Sequence, residues 1–339
     1  MQEVNAARVP SADAAEAIPL LRSKGLIDLS AHISGEPGFR IVPITAGRED
    51  EVAAMGFEIV RSRAKSDNAL TPLERIREKL SGSGMDPALL PDKWEIAGST
   101  VTMKIDPSLA GEASRIGAAY AEELGVAAVY ADISGVAGEL RIPDVRLIWG
   151  ERTDAVKTES GIVYSWDPSR IMFASGNLVE RSRMGKQDCG GETVVDMFAG
   201  IGYFTLPIAR FAGARRVFAC EKNPVSYGYL VRNIALNGVS GTVIPILADN
   251  RALQGTAFAD RIMMGYVQRT SEFVPKALSM AKEGCIIHYH DTFPVGKEAE
   301  CVEKVFSEAC GSRPYEVLEI REVKSFAPNV SHYVADVRV

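Results

Sequence analysis

Val194-Val195-Asp196-Met197-Phe198-Ala199-Gly200-Ile201-Gly202-Tyr203-Phe204 is the stretch on which the fold turns. A β-branched run ends in an acid, passes two glycines one residue apart, and enters an apolar segment, Phe204 to Phe211, that suits a helix. Strand, glycine turn and helix in that order place a backbone loop at the carboxyl edge of a sheet. Gly200 and Gly202 let backbone approach a ligand there without a Cβ in the way, and the helix start offers unpaired N–H groups to an anion. A dinucleotide fingerprint would need a third glycine three residues after Gly202, where the chain has Thr205. A nicotinamide cofactor is therefore disfavoured. The plain alternative is a tight strand-to-helix turn capped by Asp196.

Downstream the same punctuation repeats. Strands are expected at Arg216–Cys220, 242–247, Ala259–Met264 and Cys285–His290, each followed by a helix or turn, which implies a parallel sheet covered on both faces. Two final alternating runs, 315–326 and 331–339, flank Ala327-Pro328-Asn329-Val330 and read as a closing hairpin. The second strand ends in Glu221, suited to hydrogen bonds from both hydroxyls of a ribose, and the third in Asp249-Asn250, suited to an adenine edge. Asp196 stands where a methionine amino group could be met. Singly, these have bland readings: a solvated strand-end Glu and an Asx turn. Together, one adenosyl group at the carboxyl edge accounts for all three, so S-adenosylmethionine is the expected co-substrate, with no metal.

Upstream of the turn the texture differs. Short β-rich segments at 94–96, 101–105, 127–130, 145–149 and 161–166, with one helix at 110–124, suggest an α+β domain. The first part holds a helix, 14–24, interrupted by Pro19 and closed by Gly25, then a strand at 39–44 and a helix at 71–80 opened by Pro72. The expected organisation is a small N-terminal module and linker at 1–92, an α+β domain at 93–175 and an α/β domain at 176–339.

Composition bounds the rest. The chain has 339 residues, 46% of them hydrophobic and 24% charged, as an ordinary globular protein does. Its net charge of −6, with no third of the chain basic, leaves nucleic-acid binding to local patches. The densest are Arg170, Arg181, Arg183 and Lys186, then Arg215-Arg216, with Lys324 before the last turn. Five cysteines without a C-x-x-C pair argue against a disulfide framework or a zinc site and suit the cytoplasm. Residues 1–10 lack the apolar core of a secretory leader. The longest apolar-leaning run, 197–209, falls short of the roughly 20 residues that span a bilayer. Neither a membrane nor an obligate protein partner is expected.

From Trp94 onward the chain resembles a family of tRNA-modifying class I S-adenosylmethionine-dependent enzymes. These are the guanine-N1 methyltransferases acting beside the anticodon and their wybutosine-synthesising paralogues. The resemblance rests on Leu140-Arg141-Ile142-Pro143-Asp144, Gly150, the run from Ile171 to Arg181, Asp196 to Gly202, and Ile286 to His290. It implies a Rossmann-like seven-stranded sheet preceded by an α+β domain. Methyltransferases of the family carry Asn-Leu-Pro where the fourth strand ends, whereas this chain has Met264-Gly265-Tyr266-Val267. That looks like the wybutosine branch, which transfers the 3-amino-3-carboxypropyl group to carbon 7 of 4-demethylwyosine in tRNA(Phe). Guanine-N1 methylation, or tRNA binding without turnover, are the alternatives. The resemblance also implies that Ser175 and Arg181 lie near the methionine moiety, Arg181 pairing bidentately with its carboxylate, with an interdomain ion pair as the competing role. Tyr266 is placed to stack on the target base or to serve as a core or rim tyrosine. His288 and His290, alternating on one strand, suit packing or hydrogen bonding better than a metal.

Overall fold

The computed structural model describes residues 2–64, 70–138, 141–267 and 269–339, so Leu140 of the family-like run lies outside the described residues. The chain divides into two compact units, Met1–Gly84 and Met85–Val339.

The first unit is an antiparallel sheet of β1 (Gln2–Pro10), β2 (Ser34–Glu36), β3 (Phe39–Pro43) and β4 (Glu58–Ala64) in the order β2-β3-β1-β4. Helices α1 (Ala14–Ser23), α2 (Glu49–Ala54) and α3 (Pro72–Lys79) complete it. Pro19 is accommodated within α1, and Thr71 and Glu74 form a reciprocal capping box at α3. Strands β1 and β4 are additions to what the sequence suggests. Their buried positions include Ala6, Ala7 and Ala64, whose small side chains give little hydrophobic alternation to read.

In the second unit, β5 (Trp94–Ala97), β6 (Thr100–Lys104), β7 (Ala128–Ala137) and β8 (Ile142–Gly150) form a four-stranded sheet. Helix α4 (Ala113–Leu124) crosses between the parallel pair β6 and β7. A two-stranded ribbon, β9 (Ala155–Glu159) and β10 (Ile162–Trp166), and helix α5 (Leu178–Met184) follow. Strand β9 is likewise an addition, because one of its two buried side chains is Glu159 rather than an apolar residue.

The remainder is the expected α/β layer. It contains β11 (Thr193–Asp196), α6 (Thr205–Phe211), β12 (Arg216–Glu221), α7 (Pro224–Leu236), β13 (Val243–Leu247) and β14 (Ala259–Met264). Then come α8 (Val274–Met280), β15 (Ala281–Pro294), α9 (Glu298–Cys310), β16 (Glu316–Ala327) and β17 (Val330–Arg338). The seven strands run β13-β12-β11-β14-β15-β17-β16, parallel as far as β15, with the β16–β17 hairpin closing the edge antiparallel. All four residues of β11 are buried, and alternation sends Val194 and Val195 to opposite faces. Val194 belongs to the core that contains Val217, Leu206 and Leu230, and Val195 to the one that contains Ile262, Ile287 and Phe306. The two cores clamp β11, and chain order reverses beside it, between β11 and β14. This switch point is where open α/β sheets bind ligands.

Candidate active site

The turn after β11 is held from both sides. Gly200 has φ +57°, a conformation that L side chains rarely adopt, and its N–H donates to Glu221 Oε2 at 2.8 Å. Glu221 Oε1 accepts the N–H of Asn223 at 2.6 Å, so the carboxylate is fixed at the end of β12 with lone pairs left on each oxygen. Burial raises its pKa. Asn250, 5% exposed, donates from Nδ2 to Met197 O at 2.9 Å, while its Oδ1 is buried without a partner. Asp249 accepts from Arg251 Nη2 at 2.6 Å and pairs with Lys222 Nζ at 3.1 Å. These cations hold its carboxyl well below the usual range, with the Arg251 hydrogen bond the largest influence. Gly200, Glu221, Asp249 and Asn250, with Phe198 and Tyr266, line a cleft at the carboxyl ends of the strands.

Two expected residues stand elsewhere. Asp196 is wholly buried and absent from the cleft lining. Its Oδ2 accepts from Thr205 Oγ1 at 2.7 Å and its Oδ1 from Phe198 N–H at 3.2 Å, so it braces the turn instead of meeting an amino group. Burial pushes its pKa up to about 6. Gly202, at φ +104°, is also away from the cleft, and a Cβ there would come within 2.7 Å of Leu206 Cγ. Its missing side chain seats helix α6, and of the two glycines only Gly200 lines the cleft.

A second cavity adjoins the first, sharing Arg141, Met172, Phe198, Tyr203, Gly265 and Tyr266. Tyr266 stacks on Phe198 with centroids 5.1 Å apart and lies edge-on to Phe273, so it forms part of the wall common to both spaces. Beyond that wall are Ser175, exposed on a turn of 3-10 helix, Asn177, whose Oδ1 is buried without a partner, and Lys324. Lys324 Nζ would lie 3.1 Å from a Cβ at position 176, which glycine leaves open.

Arg181 borders this cavity, but its fork is taken. Nε donates to Glu159 Oε2 at 3.0 Å, Nη2 reaches the same oxygen, and Nη1 donates to Ala174 O at 2.7 Å. With both groups buried, the competing ion-pair role is the one found, and bidentate pairing with a methionine carboxylate is precluded in this arrangement. The basic cluster around it dissolves in the same way. Arg183 chelates Glu180 and reaches Asp336 at 3.0 Å, and Arg215 donates to Thr193 Oγ1. Arg170 does line the first cleft. His288 bonds Asp336 and Arg261, and His290 bonds His332. Among the described residues no cluster of His, Cys, Asp or Glu could hold a metal, and no helix is long and apolar enough to cross a membrane.

Asn177, Phe198, Arg141 and His332 are site residues that sequence reasoning misses. Asn177 and Arg141 lie inside the family-like runs, whereas His332 reaches the site only through hairpin register, opposite Lys324.

The fit to an adenosyl ligand rests on three features: an orphaned acceptor at Asn250, a fixed carboxylate at Glu221, and the left-handed turn at Gly200 that lines the cleft and is anchored to that carboxylate. With the strand order, they define a class I S-adenosylmethionine-dependent transferase. Residues 155–318 match the TRM5/TYW2 methyltransferase domain and residues 76–153 the TYW2 N-terminal domain. The tRNA(Phe) (4-demethylwyosine(37)-C(7)) aminocarboxypropyltransferase of Pyrococcus horikoshii is 43% identical over 269 residues, covering 78% of this chain and 96% of that protein. The structure of P. horikoshii TYW2 in complex with MeSAdo superposes with a TM-score of 0.69 at 41% identity, covering 78% of this chain and 98% of that one. That of Methanocaldococcus jannaschii TYW2 in complex with AdoMet gives 0.60 at 33%, covering 73% and 98%. The Trm5b tRNA (guanine(37)-N(1))-methyltransferase of Pyrococcus abyssi is 31% identical, covering 93% of both chains. Its structure superposes at 0.71 over 99% of both. The chain belongs to the TRM5/TYW2 family of tRNA-modifying transferases.

Proposed function

We propose that this protein transfers the 3-amino-3-carboxypropyl group of S-adenosylmethionine to carbon 7 of 4-demethylwyosine in tRNA(Phe). The observation that carries this reading is the junction at Gly265–Tyr266. There the chain departs from the Asn-Leu-Pro of the methylating branch, and the adenosyl cleft opens into the second, cationic cavity. The 43% identity to an aminocarboxypropyltransferase supports the same branch.

A sulfonium activates all three carbons bound to it, so outcome follows from which carbon is held in line with the nucleophile. Glu221 receives the ribose hydroxyls and Asn250 Oδ1 accepts from the adenine amino group. The methionyl arm then passes the Phe198–Tyr266 wall. Its carboxylate meets the charge of Lys324 and Arg141, and its ammonium meets the orphaned Asn177 Oδ1, beside Ser175. With that arm extended toward the base, the γ-carbon rather than the methyl faces the nucleophile. Carbon 7 bonds to the γ-carbon, the C–S pair leaves on sulfur as methylthioadenosine, and the ring proton is lost. The leaving group is a neutral thioether, so no metal takes part. Tyr266 stacks on the base, and the tRNA is engaged at its anticodon region. We assign 93–175 to tRNA-side recognition and 176–339 to catalysis, with 1–92 as an accessory module.

The full-length likeness to Trm5b favours one competing reading, guanine-N1 methylation. Mass spectrometry of the small-molecule product, after incubation with S-adenosylmethionine and precursor-bearing tRNA, separates the two. Methylthioadenosine, with tRNA heavier by one aminocarboxypropyl group, is the expected outcome. S-adenosylhomocysteine would establish methylation instead.

A further inference from the structure

Carbon–carbon bond formation at an aromatic carbon leaves a proton that something must accept, and the second cavity holds few candidates. None of its lining residues is Asp or Glu, and its charged members, Arg141, Arg181 and Lys324, are all cations. Two buried imidazoles remain. His290 and His332 are 1% and 3% exposed and both border the cavity, with His290 Nδ1 and His332 Nε2 3.1 Å apart. Strand pairing puts Lys324 directly across from His332. His290 is packed against the Phe204 ring with centroids 5.1 Å apart, so the pair is rigidly seated.

The geometry points to His332 as the acceptor of the carbon-7 proton, through Nδ1, with His290 as a positioning residue that fixes its tautomer; this rests on the aminocarboxypropyl reading above. One of the two rings must donate across the 3.1 Å contact. Glu180 Oε1 lies 3.9 Å from His290 Nε2, which has no hydrogen-bond partner. A carboxylate on that side favours a proton on Nε2, which leaves Nδ1 of His290 as an acceptor. His332 therefore donates from Nε2, and its Nδ1 carries the lone pair. The transfer balances: the γ-carbon bonds to carbon 7, the C–S electrons leave on sulfur, and the ring proton moves to His332 Nδ1 and then to water. Rearomatisation makes that proton strongly acidic, so a weak base is sufficient. Burial and the charge of Lys324 push the His332 pKa down to about 4, which keeps the ring neutral and quick to release the proton. His290 is likewise kept neutral, by burial and by His332, His288 and Arg183, against the opposing influence of Asp336.

The test uses full-length protein, S-adenosylmethionine and precursor tRNA carrying hydrogen or deuterium at carbon 7, in single turnovers from pH 5 to 8. Wild type is expected to form methylthioadenosine with no primary isotope effect, alkylation being the slow step. His332→Gln is expected to lose about 100-fold in rate, as removal of a general base does. It should also acquire a primary isotope effect at unchanged S-adenosylmethionine affinity, and imidazole in the buffer should restore rate to His332→Ala. His290→Gln, the second variant should the first not fold, is expected to show a smaller loss with the same isotope effect. An unchanged rate, or a loss without an isotope effect, would overturn the assignment while leaving the transfer reaction intact. S-adenosylhomocysteine from wild type would overturn the transfer reading itself.

Discussion

Three acids close three neighbouring strand ends, and what each carboxylate touches makes them different objects. Asp196 is wholly buried on hydrogen bonds from Thr205 and Phe198, Glu221 keeps a face to the cleft, and Asp249 sits among cations. Because burial raises the Asp196 pKa to about 6, its protonated form is favoured by folding. Its contribution to stability is fullest below about pH 4 and is lost as pH rises through 6, by about 3 kcal/mol in all at about 1.4 kcal/mol per pH unit. Asp196→Asn should remove that loss, so the stability difference between variant and wild type grows between pH 4 and 6 in urea unfolding. A difference that does not change with pH would mean the carboxylate is not protonated on folding. For Glu221→Ala, removal of the ribose contacts and of the Gly200 anchor is expected to weaken S-adenosylmethionine binding about 10- to 100-fold by calorimetry. Unchanged affinity would remove Glu221 from the site. Spacing alone places all three acids at strand ends. It is silent on orientation, because one turn of side-chain torsion decides whether a carboxylate braces its own loop or faces a ligand.

Helix α5 is tied to β9 by the Arg181–Glu159 pair, in which both partners are buried and the guanidinium lies over the rings of Tyr164, Phe173 and Tyr203. Stripping a buried charge of its partner typically costs about 3–5 kcal/mol, a loss that Lys157, 3.2 Å from Glu159 Oε1, reduces when Arg181 is removed, whereas replacing both members with apolar residues is close to neutral. Arg181→Met alone should therefore lower the thermal midpoint sharply, and Arg181→Met with Glu159→Leu should recover most of it. If the single variant instead kept its midpoint and lost S-adenosylmethionine affinity, Arg181 would act on the ligand. Elements with an apolar pattern, such as β10, β12 to β14 and the closing hairpin, can be read from the sequence to within a residue or so, whereas β15 runs four residues beyond the expected Cys285–His290 at each end. Strand β9 cannot, because its inward position carries the very Glu159 that Arg181 requires. The same physics that hides the strand also hides the occupation of the arginine.

At the scale of the whole chain, every residue lining either cavity at the carboxyl edge belongs to the unit Met85–Val339. Met1–Gly84 has a core of its own around Val9, Leu21, Val42 and Val52. The aminocarboxypropyltransferase of P. horikoshii covers 78% of this chain, whereas P. abyssi Trm5b superposes over 99% of it. A chain beginning at Met85 should accordingly bind S-adenosylmethionine with affinity within about twofold of the full protein, since every residue lining the two cavities is retained. Its affinity for tRNA is expected to fall, because a net charge of −6 gives no long-range attraction and binding must sum over discrete patches. Salt titration separates the possible causes. If basic side chains of the N-terminal unit neutralise tRNA phosphates, the slope of log K against log salt becomes shallower by roughly 0.7 to 0.9 for each phosphate no longer neutralised. An unchanged slope at weaker affinity would assign that unit to non-ionic interactions with bases or ribose. Unchanged affinity and slope together would confine tRNA recognition to the residues around the two cavities, where Arg141, Arg170 and Lys324 are the cations available to carry it.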